Sequence, residues 1–494
     1  INDNKFGRKI PDPSNEPTIG VIDTLFDDKT YFSKWVKSKN MLDENLPDIE
    51  NILNYQHGTK VSSIIVDGPA LNPKLNDNCG RFQVRHFGVA LHYGFSAFNI
   101  IKQINDIVIE NRDIKVWNLS LGANVEIEKN FISPIAYLLD KIQTDNDVIF
   151  IIAGTNDRKN TKNSLKIASP ADSVNALVVN SVNSLDKPTT YSRKGPVLSF
   201  YIKPDVSYYG GDSTSINECI NTVGANNVEY LESGTSFAAP WIARKVAYLI
   251  HILGFSKEEA KALIIDSAEK WGNKYKEEEI ELIGHGVVPI DINDIIKSKN
   301  NEIRFVMSGY VEKYETYNYT LPIPIHDDKY PFIVKATMCY FTTCSREQGV
   351  DYTNEEIDLK IGRLKNEEGI KPINNDGQGE IGTYINEKRS RNEFRKWDNS
   401  KCIKEKYSIQ NGERKSYKNK LWGIKLIRTY RFNNRNNRDK IKYGLVVTLK
   451  EINGQNRIDE FIQRCFLNHW FAEKIELDNK LEIYNKSEEN IKFE

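Results

Sequence analysis

Two kinds of hydrophobic pattern alternate along residues 1–299. Short unbroken apolar runs at Val21-Ile22, Val116-Trp117, Val148-Ile149-Phe150-Ile151-Ile152 and Leu177-Val178-Val179 have strand length and lack polar alternation, the mark of parallel strands buried on both faces. Between them the apolar period changes to that of a helix. Phe98, Ile101, Ile104 and Val108 share one helical face, as do Ile135, Leu138, Leu139 and Ile142. A third helix is expected at Phe237, Trp241, Val246, Leu249 and Ile250, with Gly254 as its stop. Ser256-Lys257-Glu258-Glu259 then reads as a capping box opening another. The fold class this predicts is α/β, a parallel sheet with helices on both faces.

From about Asn300 the texture changes. Phe305-Val306-Met307, Tyr314 to Leu321, Phe332 to Phe341, Trp422 to Ile427 and Tyr443 to Leu449 read as strands without regular helices between them. Such a series suggests a mostly antiparallel β-sandwich-like second domain over 300–494. The stretch from Gly369 to Lys420 is rich in Asn, Lys, Glu and Gly and reads as a long excursion. No internal repeat is visible.

Three short segments carry the chemistry. Thr18-Ile19-Gly20-Val21-Ile22-Asp23-Thr24 places a carboxylate at the carboxyl end of a buried strand, where sites of α/β sheets form. His57-Gly58-Thr59 puts an imidazole just before a short amphipathic helix, one of only seven histidines in 494 residues. Ser233-Gly234-Thr235-Ser236-Phe237-Ala238-Ala239-Pro240 puts a hydroxyl at a helix start, after a glycine that lets the backbone approach closely. Taken singly, each has a plainer reading: a strand-end turn, a structural histidine, a small-residue helix start. A serine becomes a nucleophile only with a base beside it and a favourable dipole beneath it, and together the three segments offer both.

In the order Asp, His, Ser, these segments resemble the subtilisin-like serine proteases, the subtilases. Trp117-Asn118-Leu119-Ser120-Leu121-Gly122 resembles the family's substrate-binding strand, and Ala153-Gly154-Thr155-Asn156 its oxyanion loop. Lys203-Pro204-Asp205-Val206 and Gly284-His285-Gly286 match further family segments, all in family order between about Pro17 and Ile296. The resemblance implies a serine endopeptidase in which Ser236 attacks a peptide carbonyl, His57 shuttles the proton and Asp23 orients the imidazole. An inactive protease fold used as a peptide-binding or assembly module is the alternative.

The oxyanion loop departs from the family. Where the usual pattern reads alanine-glycine-asparagine, Thr155 intervenes before Asn156; Asn156 is the expected donor, Thr155 the competing one, and a polar turn the plainer reading. For the substrate, Ser120, Leu121 and Gly122 would form a wall pairing with an extended peptide. Gly154 belongs to the facing loop. Ala168, small and uncharged within Ile167-Ala168-Ser169-Pro170-Ala171, resembles the base of the main specificity pocket, which implies a roomy pocket for apolar or aromatic side chains.

Composition agrees with an enzyme of more than one domain: 39% hydrophobic and 28% charged residues can bury a sizeable core. Lys plus Arg and Asp plus Glu are 68 each, so no global field suggests nucleic acid or an anionic membrane. The basic runs Lys388-Arg389-Ser390-Arg391 and Arg428 to Arg438 read as solvated loops. No apolar segment is long enough to span a bilayer, and no signal peptide is visible. Six cysteines without a regular framework argue against a disulfide scaffold and for the cytoplasm, and no metal or other cofactor is expected.

Nothing before Asp23 is long enough for a folding prodomain, although the first residue is Ile1 and not Met. Followed by a β-rich domain with segments such as Ala336-Thr337-Met338-Cys339-Tyr340-Phe341, the chain more narrowly resembles prokaryotic subtilases encoded beside an AAA ATPase, some of them toxin–antitoxin or antiphage modules. The resemblance implies restraint by residues 300–494, by such a partner, or by a resting active site out of alignment. This chain has no phosphate loop of its own.

Overall fold

The computed structural model describes residues 8–470 apart from 44, 94–96, 124, 158–164, 270, 272–276, 314, 366–368, 374–385, 393–394, 406–411 and 432–437. Its first half is built on β1 (Thr18–Thr24), β2 (Val36–Asn40), α1 (Gln56–Leu71), β3 (Gln83–Ala90), α2 (Ala97–Glu110), β4 (Val116–Leu119), α3 (Pro134–Asp145), β5 (Ile149–Ala153), β6 (Leu177–Val182) and β7 (Val206–Tyr209). The seven strands form one sheet in the order β2-β3-β1-β4-β5-β6-β7, and every neighbouring pair is parallel. A hairpin of β8 (Ile220–Gly224) and β9 (Val228–Glu232) leads into α4 (Thr235–Ala247), α5 (Lys257–Ala268), α6 (Glu277–Ile283) and α7 (Ile292–Ile296).

Side chains alternate across the strands, so each strand feeds two cores. Ile19 and Val21 of β1 and Ile149 and Ile151 of β5 pack with Val61 and Ile64 of α1 and Ala238 and Trp241 of α4. Ile22, Phe150 and Ile152 face the other way, onto Ile104 and Val108 of α2 and Leu139 and Ile142 of α3. Helices therefore cover both faces, as the sequence pattern predicts. The capping box forms at α5, where Ser256 N–H donates to Glu259 at 2.9 Å and Glu259 N–H to Ser256 Oγ at 3.4 Å. Gly254 sits at φ +77° beyond the end of the preceding helix. One expectation fails in detail: α1 is 16 residues long and buried along most of its length, not a short amphipathic helix.

The second half comprises β10 (Glu302–Glu312), β11 (Thr316–Leu321), β12 (Lys329–Tyr330), β13 (Phe332–Tyr340), β14 (Glu355–Leu364), β15 (Ile370–Pro372), α8 (Glu387–Asn392), β16 (Ser400–Lys404), β17 (Arg414–Lys415), β18 (Trp422–Tyr430), β19 (Lys440–Glu451) and α9 (Ile458–Leu467). Two four-stranded antiparallel sheets, β10-β19-β13-β16 and β11-β18-β14-β15, share one core. Met338 and Leu445 of the first sheet and Leu359 and Leu426 of the second contribute to it. This is the sandwich the strand series predicts.

Two readings of this half need correction. The excursion from Gly369 to Lys420 holds β16, which pairs with β13 over Lys335–Cys339; its remainder lies partly outside the described residues. Arg428 is not in a solvated loop. Its guanidinium is fully buried, 2.7 Å from Glu355, and bonded to the carbonyls of Val311 and Asp439. Arg391 lies over the Phe200 ring and pairs with Asp351, so Arg391 and Arg428 each tie segments together. The side chains of Lys388 and Arg389 lie outside the described residues.

The two halves share a core. Cys339, Phe341 and Val446 belong to the same cluster as the α1, α4 and α5 side chains. Asp266 of α5, 1% exposed, accepts from Thr337 at 3.0 Å and Thr448 at 3.1 Å, while Lys335 Nζ takes its backbone carbonyl at 2.6 Å. Asn175 is held by Thr342 and Asn399, and Tyr352 donates to buried Asp140 at 2.6 Å. Beside these, Glu269, His285 and Cys402 bring three donor atoms together. The Glu269 carboxylate is already matched by His285 at 3.4 Å and Lys404 at 2.5 Å. Burial alone would raise its pKa, but these two partners outweigh it and hold the carboxyl down at about 2. The cluster is an ion-pair junction between the halves.

Candidate active site

Asp23 shares the parity of Ile19 and Val21, so its side chain leaves the sheet on the face covered by α1 and α4. His57 lies in the first turn of α1 and Ser236 in the first turn of α4, so three elements deliver the three groups to one sheet edge. Asp23 is fully buried and its Oδ1 lies 2.6 Å from His57 Nδ1. The same oxygen accepts the Thr24 N–H at 2.7 Å, while Oδ2 is buried without a hydrogen-bond partner among the described residues. A carboxylate can only accept, so neutral His57 carries its proton on Nδ1 and presents a lone pair at Nε2.

Burial alone would lower the His57 pKa. With 32% of the side chain still exposed, the charge and hydrogen bond of Asp23 win and hold it above the ordinary imidazole value. Close packing fixes the ring's approach. A Cβ on Gly58 would lie 2.5 Å from the Thr24 carbonyl and 2.7 Å from the His86 ring, so only glycine fits after His57. His86, fully buried, holds the Thr24 carbonyl at 2.7 Å and Ser62 at 3.1 Å. Burial lowers its pKa, leaving a neutral brace behind Asp23. No sequence signal marks His86, because a lone histidine inside a strand has no motif around it.

Ser236 is bound on both sides of its residue by Ser120. Its Oγ donates to the Ser120 carbonyl at 3.2 Å, and the Ser120 hydroxyl donates to the Ser236 carbonyl at 3.2 Å. The second bond has a cause in the sequence. Pro240 lacks the N–H that would close the helical bond to Ser236 four residues earlier, so that carbonyl is free to accept elsewhere. Among the described residues no hydrogen bond joins Ser236 to His57. The His57 ring instead lies 5.8 Å, centroid to centroid, from Phe237.

Asn156 stands beside this turn. Its Oδ1 accepts from the Thr235 N–H at 3.0 Å and the Thr235 hydroxyl at 2.9 Å, and its amide nitrogen lies beside Gly234. A Cβ on Gly234 would meet that nitrogen at 3.1 Å. Thr155 points elsewhere. Its Oγ1 accepts from the Ala168 N–H at 3.0 Å and donates to the Gly154 carbonyl at 2.6 Å. Thr155 adopts φ +70°, a left-handed conformation that costs a β-branched residue on the order of 1–2 kcal/mol.

Ser120, Leu121 and Gly122 follow directly on β4, beside Ser236. The chain continues along Ser169 and Ile167, with Ala123 N–H to the Ser169 carbonyl at 2.7 Å and Ile127 N–H to the Ile167 carbonyl at 3.1 Å. Ala168 is fully buried behind them. Gly154 turns away from the cleft, since a Cβ there would lie 2.3 Å from Asn180 Oδ1. The arrangement brings together Asp23, His57, Ser236, Asn156, Ser120 and Gly122, and sets Ala168 behind Thr155.

The profile of the subtilase family, peptidase S8, matches residues 14–286. Subtilisin-like protease 2 of Arthroderma otae is 25% identical over 259 residues, covering 47% of this chain and 53% of that protein. Subtilisin-like protease 2 of Pseudogymnoascus destructans is 31% identical over 173 residues, covering 35% of this chain and 38% of that one. The chain thus spans about half the length of the curated relatives it matches, or less. Among solved structures, the epidermin leader peptide processing serine protease EpiP of Staphylococcus aureus aligns with a TM-score of 0.44 at 19% identity, covering 57% of this chain and 76% of that one. With the profile spanning more than half of its length, this chain belongs to the subtilase family.

Proposed function

We propose that this chain is a serine endopeptidase that hydrolyses peptide bonds through Ser236, His57 and Asp23. The observation that carries the reading is the 2.6 Å contact of His57 Nδ1 with buried Asp23, which fixes the tautomer a general base needs. Ser236 Oγ leaves the Ser120 carbonyl by rotation about one side-chain bond and gives its proton to His57 Nε2 as it attacks. Negative charge on the carbonyl oxygen meets the Ser236 N–H at the α4 N-terminus and the Asn156 amide. Protonated His57, stabilised by Asp23, returns the proton to the leaving amine, and water then releases the acyl group by the same steps.

The Ser236–Ser120 bond favours a second reading, a peptide-binding module without turnover. A fluorophosphonate probe separates the two: stoichiometric labelling at Ser236 supports the enzyme, and its absence from folded full-length chain supports the module. Residues 300–494 are where we place control, with an AAA ATPase as the partner the resemblance supplies. A labelling rate unchanged by that partner would remove this part of the reading. We place the chain in the cytoplasm, a reading supported by six unpaired cysteines. Among the described residues, no helix is long and apolar enough to cross a membrane.

Two measurements test the roles. Asn156→Ala is expected to lower kcat by ~10²–10³ with little change in KM, because the donor acts on the transition state. Thr155→Ala leaves that donor in place, so an equal loss in kcat from Thr155→Ala alone would assign the hole to the threonine.

The second is a pH profile. His57 must be neutral to act, and its raised pKa keeps the proton on to higher pH. The rise of kcat/KM with pH is therefore expected to centre above the ordinary imidazole value of about 6.5. Asp23→Asn should move the midpoint down and cut turnover by about 10⁴. A profile flat through this range would exclude His57 as the base.

A further inference from the structure

Thr155 stands where the substrate side chain would enter. The leaving amine must lie toward His57, which protonates it, so the residue contributing the attacked carbonyl lies on the far side of Ser236. There the cleft is walled by Ser120-Leu121-Gly122 and by the Gly154–Asn156 loop. Thr155 fills the gap between these walls: its methyl carbon would lie 2.6 Å from a Cβ on Gly122, and its Cβ 3.6 Å away. It is 6% exposed and locked by the bonds of its hydroxyl to Ala168 and Gly154. Thr155 thus spans from Gly122, which its methyl faces, to Ala168, whose N–H its hydroxyl holds.

We propose that Thr155 closes the primary specificity pocket, so that the enzyme cleaves after small residues, Gly, Ala or Ser, and rejects aromatic ones. The inference rests on the peptide hydrolysis proposed above, and it replaces the roomy pocket expected from Gly122 and Ala168. A hydroxyl locked by two hydrogen bonds cannot swing aside without leaving the Ala168 N–H unpaired. The rejection is therefore built into the loop and does not depend on a partner. The left-handed backbone at Thr155 is what aims the methyl across the gap.

The test uses the full chain, titrated for active sites with a small fluorophosphonate, on peptides differing only at the residue before the scissile bond. Ala is expected to exceed Phe in kcat/KM by at least about 100-fold. Thr155→Gly, which takes the same backbone conformation and removes the methyl, should shift the ratio toward Phe by at least tenfold. Should the variant not fold, the wild-type cleavage sites on an unfolded protein, read by mass spectrometry, decide alone: small residues before the cut support the inference. Labelled enzyme that cuts as readily after Phe as after Ala overturns it while leaving the protease reading intact. Folded chain that neither labels nor cleaves overturns both.

Discussion

Ser236→Ala is expected to reduce turnover by a factor on the order of 10⁶ while leaving the protein folded. The proposed nucleophile is removed, and the neighbouring Ser120 and Thr235 hydroxyls are held by the Ser236 carbonyl and by Asn156. The structural effect is small by comparison: one hydrogen bond to the Ser120 carbonyl is lost, about 1 kcal/mol. The Ser120 hydroxyl keeps its bond to the backbone at position 236, which does not depend on the side chain. The readouts are single-turnover rate, probe labelling and melting temperature. Wild-type cleavage by the alanine variant would refute the assignment. A collapse in melting temperature would show that Ser236 is instead a structural residue.

Ending the chain at Ser298 is expected to leave a first half that does not fold stably. The division into residues 1–299 and 300–494 anticipates an autonomous protease with an appendage, and the contacts across that boundary argue otherwise. Phe341 and Val446 each place a large side chain in the core around α5, worth roughly 1.5–3 kcal/mol apiece. Asp266 would lose its hydrogen bonds from Lys335, Thr337 and Thr448, about 1 kcal/mol each. Together these approach the whole stability of a typical domain, about 5–15 kcal/mol. The checks are far-UV circular dichroism and cooperative urea unfolding of the fragment. A fragment melting near the full-length chain, and labelling with the probe, would show that the shared core is dispensable.

How far the sequence carried these conclusions differs from element to element. The unbroken run from Val148 to Ile152 names a strand buried on both faces, because only such a strand needs apolar residues at every position. The positions of Asp23, His57 and Ser236 follow from a strand end and two helix starts, which are local events with local signals. The strand β14 was not anticipated. Its Ile357, Leu359 and Ile361 alternate with Asp358, Lys360 and Gly362, but the acidic Glu355 and Glu356 before them resemble a loop until Arg428 and Lys401 are known to neutralise them in space. The direction of Thr155 was equally hidden. Whether the residue after Gly154 points inward or away depends on the sign of one backbone angle, and composition does not encode that sign.

The alternation of β1 reaches beyond packing, into which genetic lesions the site can survive. Ile19, Val21 and Asp23 emerge on one face, and Ile22 on the other. Losing or gaining one codon between Ile19 and Asp23 would turn the carboxylate to the opposite face of the sheet, toward α2 and α3, however well the rest of the strand re-formed. Two codons would restore the face but displace the carboxylate by about 6.6 Å along the strand, beyond hydrogen-bond reach of His57. Substitutions on β1 can be compensated by repacking. Changes in its length cannot, so the count of residues in this stretch, more than their identity, sets where the carboxylate stands.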